Sequence, residues 1–211
     1  MKIALIGASG NIGSEIAREA LRRGHIVTAV VRQAKPGTGD LPGLQTRHAD
    51  LFDAAALRDA VRGHDVIASA YGPGAGNPGA VVEATAALIA AARSAGIARL
   101  VVVGGAGSLE IGPGAQLVDS PNFPAAYKAV ALAHRDAFTH LRQASDLKWT
   151  FFAPAAMIGP GEKTGRYRVG RKTLIADATG ASKISYADYA DAFVTELERG
   201  EYPQEIVTAA Y

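Results

Sequence analysis

The feature that most constrains this chain is the run Gly7-Ala8-Ser9-Gly10-Asn11-Ile12-Gly13. It lies between the apolar stretch Lys2 to Ile6 and a segment, Ile12 to Arg23, in which Ile12, Ile16, Ala20 and Leu21 recur near helical spacing. Strand, glycine turn and helix in that order are the context in which a glycine motif is informative. Gly7 is expected to permit the tight turn, Gly10 to let a pyrophosphate approach the backbone without meeting a Cβ, and Gly13 to let the helix pack closely on the strand. Unpaired N–H groups at the helix start would then face the anion. The alternative is a glycine-rich turn that holds nothing.

The alternation continues along the chain. Strands are expected at His25 to Val31, Gln45 to His48, Asp65 to Ser69, Arg99 to Val103, Lys148 to Phe152 and Glu205 to Ala209. Helices are expected at Ala54 to Val61, Ala80 to Ala95, Ala125 to Gln143 and Ala187 to Glu198. Strands alternating with helices imply an α/β fold, a Rossmann-like doubly wound parallel sheet covered on both faces. A chain of 211 residues fits this as a single domain, 1–211, with a small C-terminal substrate-side lobe. Three segments rich in glycine and proline, Gly72 to Gly79, Gly104 to Pro124 and Pro154 to Lys172, each follow a predicted strand. Ligands of open α/β sheets bind beyond the carboxyl ends of the strands, so these segments are expected to line a site.

Composition narrows the function classes. Cysteine is absent, which excludes thiol nucleophiles, thiolate zinc sites and disulfides, and is compatible with a reducing cytoplasm. A net charge of +2 provides no basis for a nucleic-acid partner. The apolar start is interrupted at Gly7, far short of the roughly 18 residues of a membrane span, so neither a signal peptide nor a membrane partner is expected. His25, His48, His64, His134 and His140 show no metal-ligand spacing, and surface or capping roles are expected for all five.

Arg32 follows the second strand, where a protein specific for NAD often places an acid against the ribose hydroxyls. A guanidinium there suits the 2′-phosphate of NADP(H); the competing reading is an exposed loop arginine. Asp50 could accept from an adenine amino group with Leu51 covering the ring, or Asp50 could cap the helix at Ala54 to Val61. Lys163, Arg166, Arg168, Arg171 and Lys172 could receive an anionic substrate such as a flavin phosphate, or belong to a solvated hairpin.

Taken with Val103-Gly104-Gly105-Ala106-Gly107-Ser108, Phe152-Ala153-Pro154-Ala155-Ala156, Gly159 to Arg168 and Ile184 to Ala190, these motifs resemble the atypical short-chain dehydrogenase/reductase superfamily. Within it the chain is similar to the bacterial NADH-flavin reductase-like and NmrA-like proteins, over essentially its whole length. The resemblance implies a Rossmann fold with NADP(H) along the strand ends. It implies that Ser69, Ala70, Tyr71, Gly104 and Gly105 line the nicotinamide side and that Pro154 and Ala155 offer backbone groups to the carboxamide.

Ordinary members of that superfamily use Tyr-x-x-x-Lys on the helix after the fifth strand; this chain has Tyr127-Lys128, with Ala131 one turn on. Adjacent helical residues point about 100° apart, so the pair does not reproduce the usual support of tyrosine by lysine. Ser108, Tyr127 and Lys128 stay as candidates for orienting substrate or donating a proton, while Tyr127 could equally be a core-edge residue. A ketone reductase would suffer from this loss more than a flavin or quinone reductase, whose reduced product is delocalised. The reading is thus an NAD(P)H-dependent reductase of a planar small-molecule acceptor, monomeric or homodimeric. Its rivals are a non-enzymatic redox sensor and, third, an epimerase or dehydratase.

Overall fold

A computed structural model describes residues 1–33, 41–73 and 76–211. Its frame is an eight-stranded sheet. The strands follow the chain as β1 (Lys2–Ile6), β2 (Ile26–Val31), β3 (Gln45–His48), β4 (Val66–Ser69), β5 (Arg99–Val103), then the hairpin β6 (Glu110–Gly112) and β7 (Ala115–Gln116). After these come β8 (Lys148–Ala153), β9 (Met157–Gly159), β10 (Arg168–Arg171), β11 (Lys183–Ser185) and β12 (Glu205–Ala210). The helices are α1 (Asn11–Arg22), α2 (Ala54–Val61), α3 (Ala80–Ala95), α4 (Ala125–Arg142) and α5 (Tyr186–Arg199).

The sheet order is β10-β12-β8-β5-β4-β1-β2-β3, and every pair is parallel except β10 with β12. The alternation of buried side chains explains why helices cover both faces. Along β1, Ala4 and Ile6 join one core, with Leu57, Leu88, Leu100, Trp149 and Phe151 beneath α2, α3 and α4. Ile3 and Leu5 join the other, with Ile16, Ala20, Phe152, Tyr189 and Phe193 against α1 and α5. Strands apolar on both sides cannot face water on either.

From β1 the chain moves outward through β2 and β3, then returns to the other side of β1 with β4 and continues through β5 and β8. The carboxyl ends of β1 and β4 therefore border a topological switch point, where the crevice of an open α/β sheet opens. The glycine- and proline-rich segments carry more structure than their composition suggests. Gly104 to Pro124 holds a 3-10 turn at Ala106–Ser108 and the β6/β7 hairpin. Pro154 to Lys172 holds β9, which pairs with β11, and β10, which extends the main sheet. Part of Gly72 to Gly79 lies outside the described residues.

Candidate cofactor site

The glycine turn closes as expected. Gly7 takes φ +80°, and a Cβ there would lie 2.4 Å from the Ala70 carbonyl oxygen; a Cβ at Gly13 would lie 2.0 Å from the Gly7 carbonyl oxygen. Both are fixed by the fold itself. Gly10 is different: its φ of −83° suits any residue, and an added Cβ would meet only the Gly7 carbonyl oxygen, at 3.4 Å. Among the described residues nothing requires a glycine there.

Gly10 is also the first residue before α1, so it supplies no capping side chain, and the first turn of α1 contains no acid. By contrast, Asp53 caps α2 through Ala55 and Ala56, and Ser185 caps α5 through Asp188. The amides at the start of α1 open instead into a groove of about 700 Å³ lined by the glycine turn and the ends of β2, β3 and β4. A bare helix terminus, a lining without Cβ atoms and a groove of this size fit a dinucleotide diphosphate.

Of the residues singled out from sequence, Gly7, Ser9, Gly10, Asn11, Ile12, Arg32, Asp50, Leu51, Ala70 and Tyr71 line this groove together. Arg32 is exposed at the end of β2. Asp50 does not cap α2; that role belongs to Asp53, and Asp50 accepts from the Phe52 amide at 3.0 Å, an Asx turn that holds its carboxylate at the groove. Burial raises the Tyr71 phenol above its ordinary pKa and Glu83 adds to this, while Arg32 opposes it. Among the lining residues not singled out as site residues are Gln33, Phe52, Ile158 and Tyr186. Phe52 is 49% exposed and stands edge-on to Tyr71, an apolar ring left open to the groove. Its signal was adjacency to Asp50-Leu51; Ile158 sits in a segment whose glycines and prolines hid a strand.

The other expected residues do not line the groove. Ala8, Pro154 and Ala155 are buried. Ser69 is 3% exposed and faces a small inner cavity behind Tyr71, because β4 turns its side chain toward α3 and α4. A Cβ at Gly104 would lie 2.2 Å from the Phe151 ring and one at Gly105 2.9 Å from His134 Cβ, so packing against these rings accounts for both glycines. Ser108, Tyr127 and Lys128 do not converge. Ser108 Oγ is sealed with no partner, Tyr127 is 64% exposed, and the Lys128 ammonium donates to the Val118 carbonyl beside the Phe123 ring.

None of Lys163, Arg166, Arg168, Arg171 and Lys172 lines the groove, and four of them are engaged elsewhere in the protein. Lys163 pairs with Glu19 and Asp191, Arg168 donates to the Ala176 and Tyr211 carbonyls, Arg171 pairs with Glu205 and Lys172 with Glu110. Burial alone would raise the Glu19 carboxyl, but hydrogen bonds from Arg22, Lys163 and Arg23 hold it well below the usual carboxylate range. The histidines divide. His25 pairs with Glu198 and His64 bridges Val61 and Thr28, as structural roles require, whereas His134 departs from the expected surface or capping role: its Nδ1 is buried without a partner. Among the described residues no group of three side chains could hold a metal, and no helix is long and apolar enough to cross a membrane.

The sequence profile of a family described as NAD(P)H-binding matches residues 7–199, from the glycine turn to the end of α5. The chain belongs to the NAD(P)H-binding family. Its resemblance to the short-chain dehydrogenase/reductase type is thereby borne out, with the Rossmann-like fold. A solved structure described as a candidate exported protein of Burkholderia pseudomallei is 55% identical, with all of both chains covered and a TM-score of 0.93. A Streptococcus pneumoniae structure described as a candidate NADH-flavin reductase is 35% identical over 100% of this chain and 99% of its own, with a TM-score of 0.90. The Bacillus subtilis protein YwnB is 42% identical over 99% of this chain and 97% of its own length.

Proposed function

We propose that this protein is an NADP(H)-dependent reductase that delivers hydride to a planar acceptor, a flavin or a quinone. The observation that carries the reading is the groove at the switch point, where Gly10 leaves the start of α1 open though no internal contact requires a glycine. The S. pneumoniae relative described as a candidate NADH-flavin reductase supports the acceptor class.

When bound, the dinucleotide supplies the hydride; the chain's own residues bind and orient. The amides of the glycine turn and α1 would hold the diphosphate, Arg32 the 2′-phosphate, and Asp50 the adenine amino group beside Leu51 and Phe52. Tyr71, Ile158 and Tyr186 form the apolar wall that turns water away from the reacting end. Ala131, where the superfamily's lysine would stand, is 6% exposed and packs beneath Gly107. With no Tyr-x-x-x-Lys to protonate an alkoxide, a delocalised acceptor suits the site best.

The same loss favours a second reading, a sensor that binds the cofactor without turnover. Steady-state oxidation of NADPH with flavin mononucleotide and with a quinone separates the two. The reductase reading predicts turnover above the free-solution rate, and none with any such acceptor contradicts it. NADPH is expected to bind more tightly than NADH, and Arg32→Ala to erase about 10- to 100-fold of that preference; an unchanged ratio would remove Arg32 from the account.

A further inference from the structure

Behind Tyr71, between β4, β5, α3 and α4, lies a cavity of about 10 Å³, about the room of a single water molecule. Its wall is apolar apart from Tyr71, which separates it from the groove, and three further residues: Ser69, Thr85 and His134. Thr85 Oγ1 spends its proton on the Val81 carbonyl at 2.8 Å, which leaves its oxygen free to accept. Ser69 Oγ accepts weakly from the Tyr71 amide at 3.3 Å and donates to nothing among the described residues. His134 Nδ1 is sealed from solvent with no partner among the described residues. A buried polar atom left alone is destabilising, and an internal water needs two to four polar partners; Ser69, Thr85 and His134 offer three.

The other edge of the same ring has a different outlook. Gly105, at the carboxyl end of β5, lies against Cγ and Cδ2 of His134, and it can do so because it has no side chain. Nε2 likewise has no protein partner among the described residues, yet it is not among the sealed atoms. His134 therefore spans from the interior to the strand ends where ligands of such sheets lie.

The geometry points to His134 as the hydrogen-bond donor of the acceptor side, held in one tautomer by an internal water that it shares with Ser69 and Thr85. The water donates to Nδ1, so the proton resides on Nε2, and Nε2–H is presented beside Gly105 to a carbonyl oxygen or ring nitrogen of the acceptor. A neutral imidazole can act in this way without transferring its proton. Burial against Phe151 and its apolar neighbours keeps the ring neutral, with its pKa pushed down to about 4. This role rests on the reductase reading and supplies the donor that an intact Tyr-x-x-x-Lys pair would otherwise provide. The acceptor class is thereby narrowed to planar molecules with an exposed hydrogen-bond acceptor.

Two measurements test it, and they fail independently. Nitrogen NMR of the wild-type protein alone at pH 7 should show a neutral His134 protonated on Nε2, with Nδ1 hydrogen-bonded and shifted by Ser69→Ala. A ring protonated on Nδ1, or an Nδ1 resonance indifferent to that substitution, overturns the water site whatever the enzyme does. His134→Phe fills the same apolar space without a donor. It should lower kcat for acceptor reduction about 10- to 100-fold while calorimetric affinity for NADPH stays unchanged. Full turnover in His134→Phe overturns the donor role. Absence of turnover in the wild type would remove the reductase reading, and with it the donor role, while the NMR result still decides the tautomer.

Discussion

At the scale of the residue, the three glycines of the first turn separate into two kinds. Gly7 and Gly13 are demanded by the Ala70 and Gly7 carbonyls, whereas Gly10 is demanded by nothing among the described residues. Spacing alone predicts all three and cannot distinguish them; only the packing around each position does. His134 makes the same point from the other side. As one of five histidines without metal spacing it reads as a surface group, because its burial depends on Gly105 and Phe151, distant in sequence. That burial has a consequence in acid. The unfolded chain binds a proton at this ring near pH 6.5 and the folded chain only near 4, so the unfolded state takes up more protons in between. Stability is retained in full above pH 6.5 and falls as the pH drops toward 4, by about 3 kcal/mol at most. Urea unfolding at pH 7 and pH 4.5 should show a smaller acid loss in His134→Phe than in the wild type, and equal losses would show that the ring does not titrate as described.

At the scale of the element, most main strands and helices were legible because they are short apolar runs or helical stripes bounded by glycine or a capping residue. α2, α3 and β5 fall where periodicity predicts them, and β3, whose four residues are polar and exposed, falls where the alternation of elements places a strand. The small strands β6, β7, β9, β10 and β11 were not legible, since they are two to four residues long and set among glycines and prolines. What orders them is long-range. Asp188, in the first turn of α5 and fully buried, accepts from the Thr164 and Gly165 amides at 2.9 and 2.8 Å and from the Thr164 and Tyr211 hydroxyls at 2.7 and 2.8 Å. Lys163 extends the same clamp to Glu19 on α1 and Asp191 on α5. Asp188→Asn keeps the shape but loses the charge and puts a donor where only acceptors fit. It should cost about 2–4 kcal/mol in chemical denaturation, with the 161–168 loop cut first by protease. A loss under 0.5 kcal/mol would mean that the clamp is not what holds the loop.

At the scale of the whole molecule, the order of strands matters more than any single contact. Because β2 and β4 flank β1, the first glycine turn opens where the sheet changes direction, and residues from β2, β3, β4 and α5 reach one groove from far apart in sequence. The glycine motif, Arg32 and Asp50 could be singled out in advance because each lies at a strand end, and the fold brings them to one groove. Ile158 and Tyr186 were less visible because only the tertiary fold brings them, from β9 and α5, to the groove. The central claim is that the amides beginning α1 hold a dinucleotide diphosphate, and calorimetric titration with NADPH of the wild type beside Gly10→Val tests it most directly. The account predicts one-to-one binding by the wild type and at least a hundredfold weaker binding by the variant, at unchanged thermal stability, since the turn has room for a Cβ. Equal affinity in the two proteins, or no heat from the wild type with either NADPH or NADH, would contradict it.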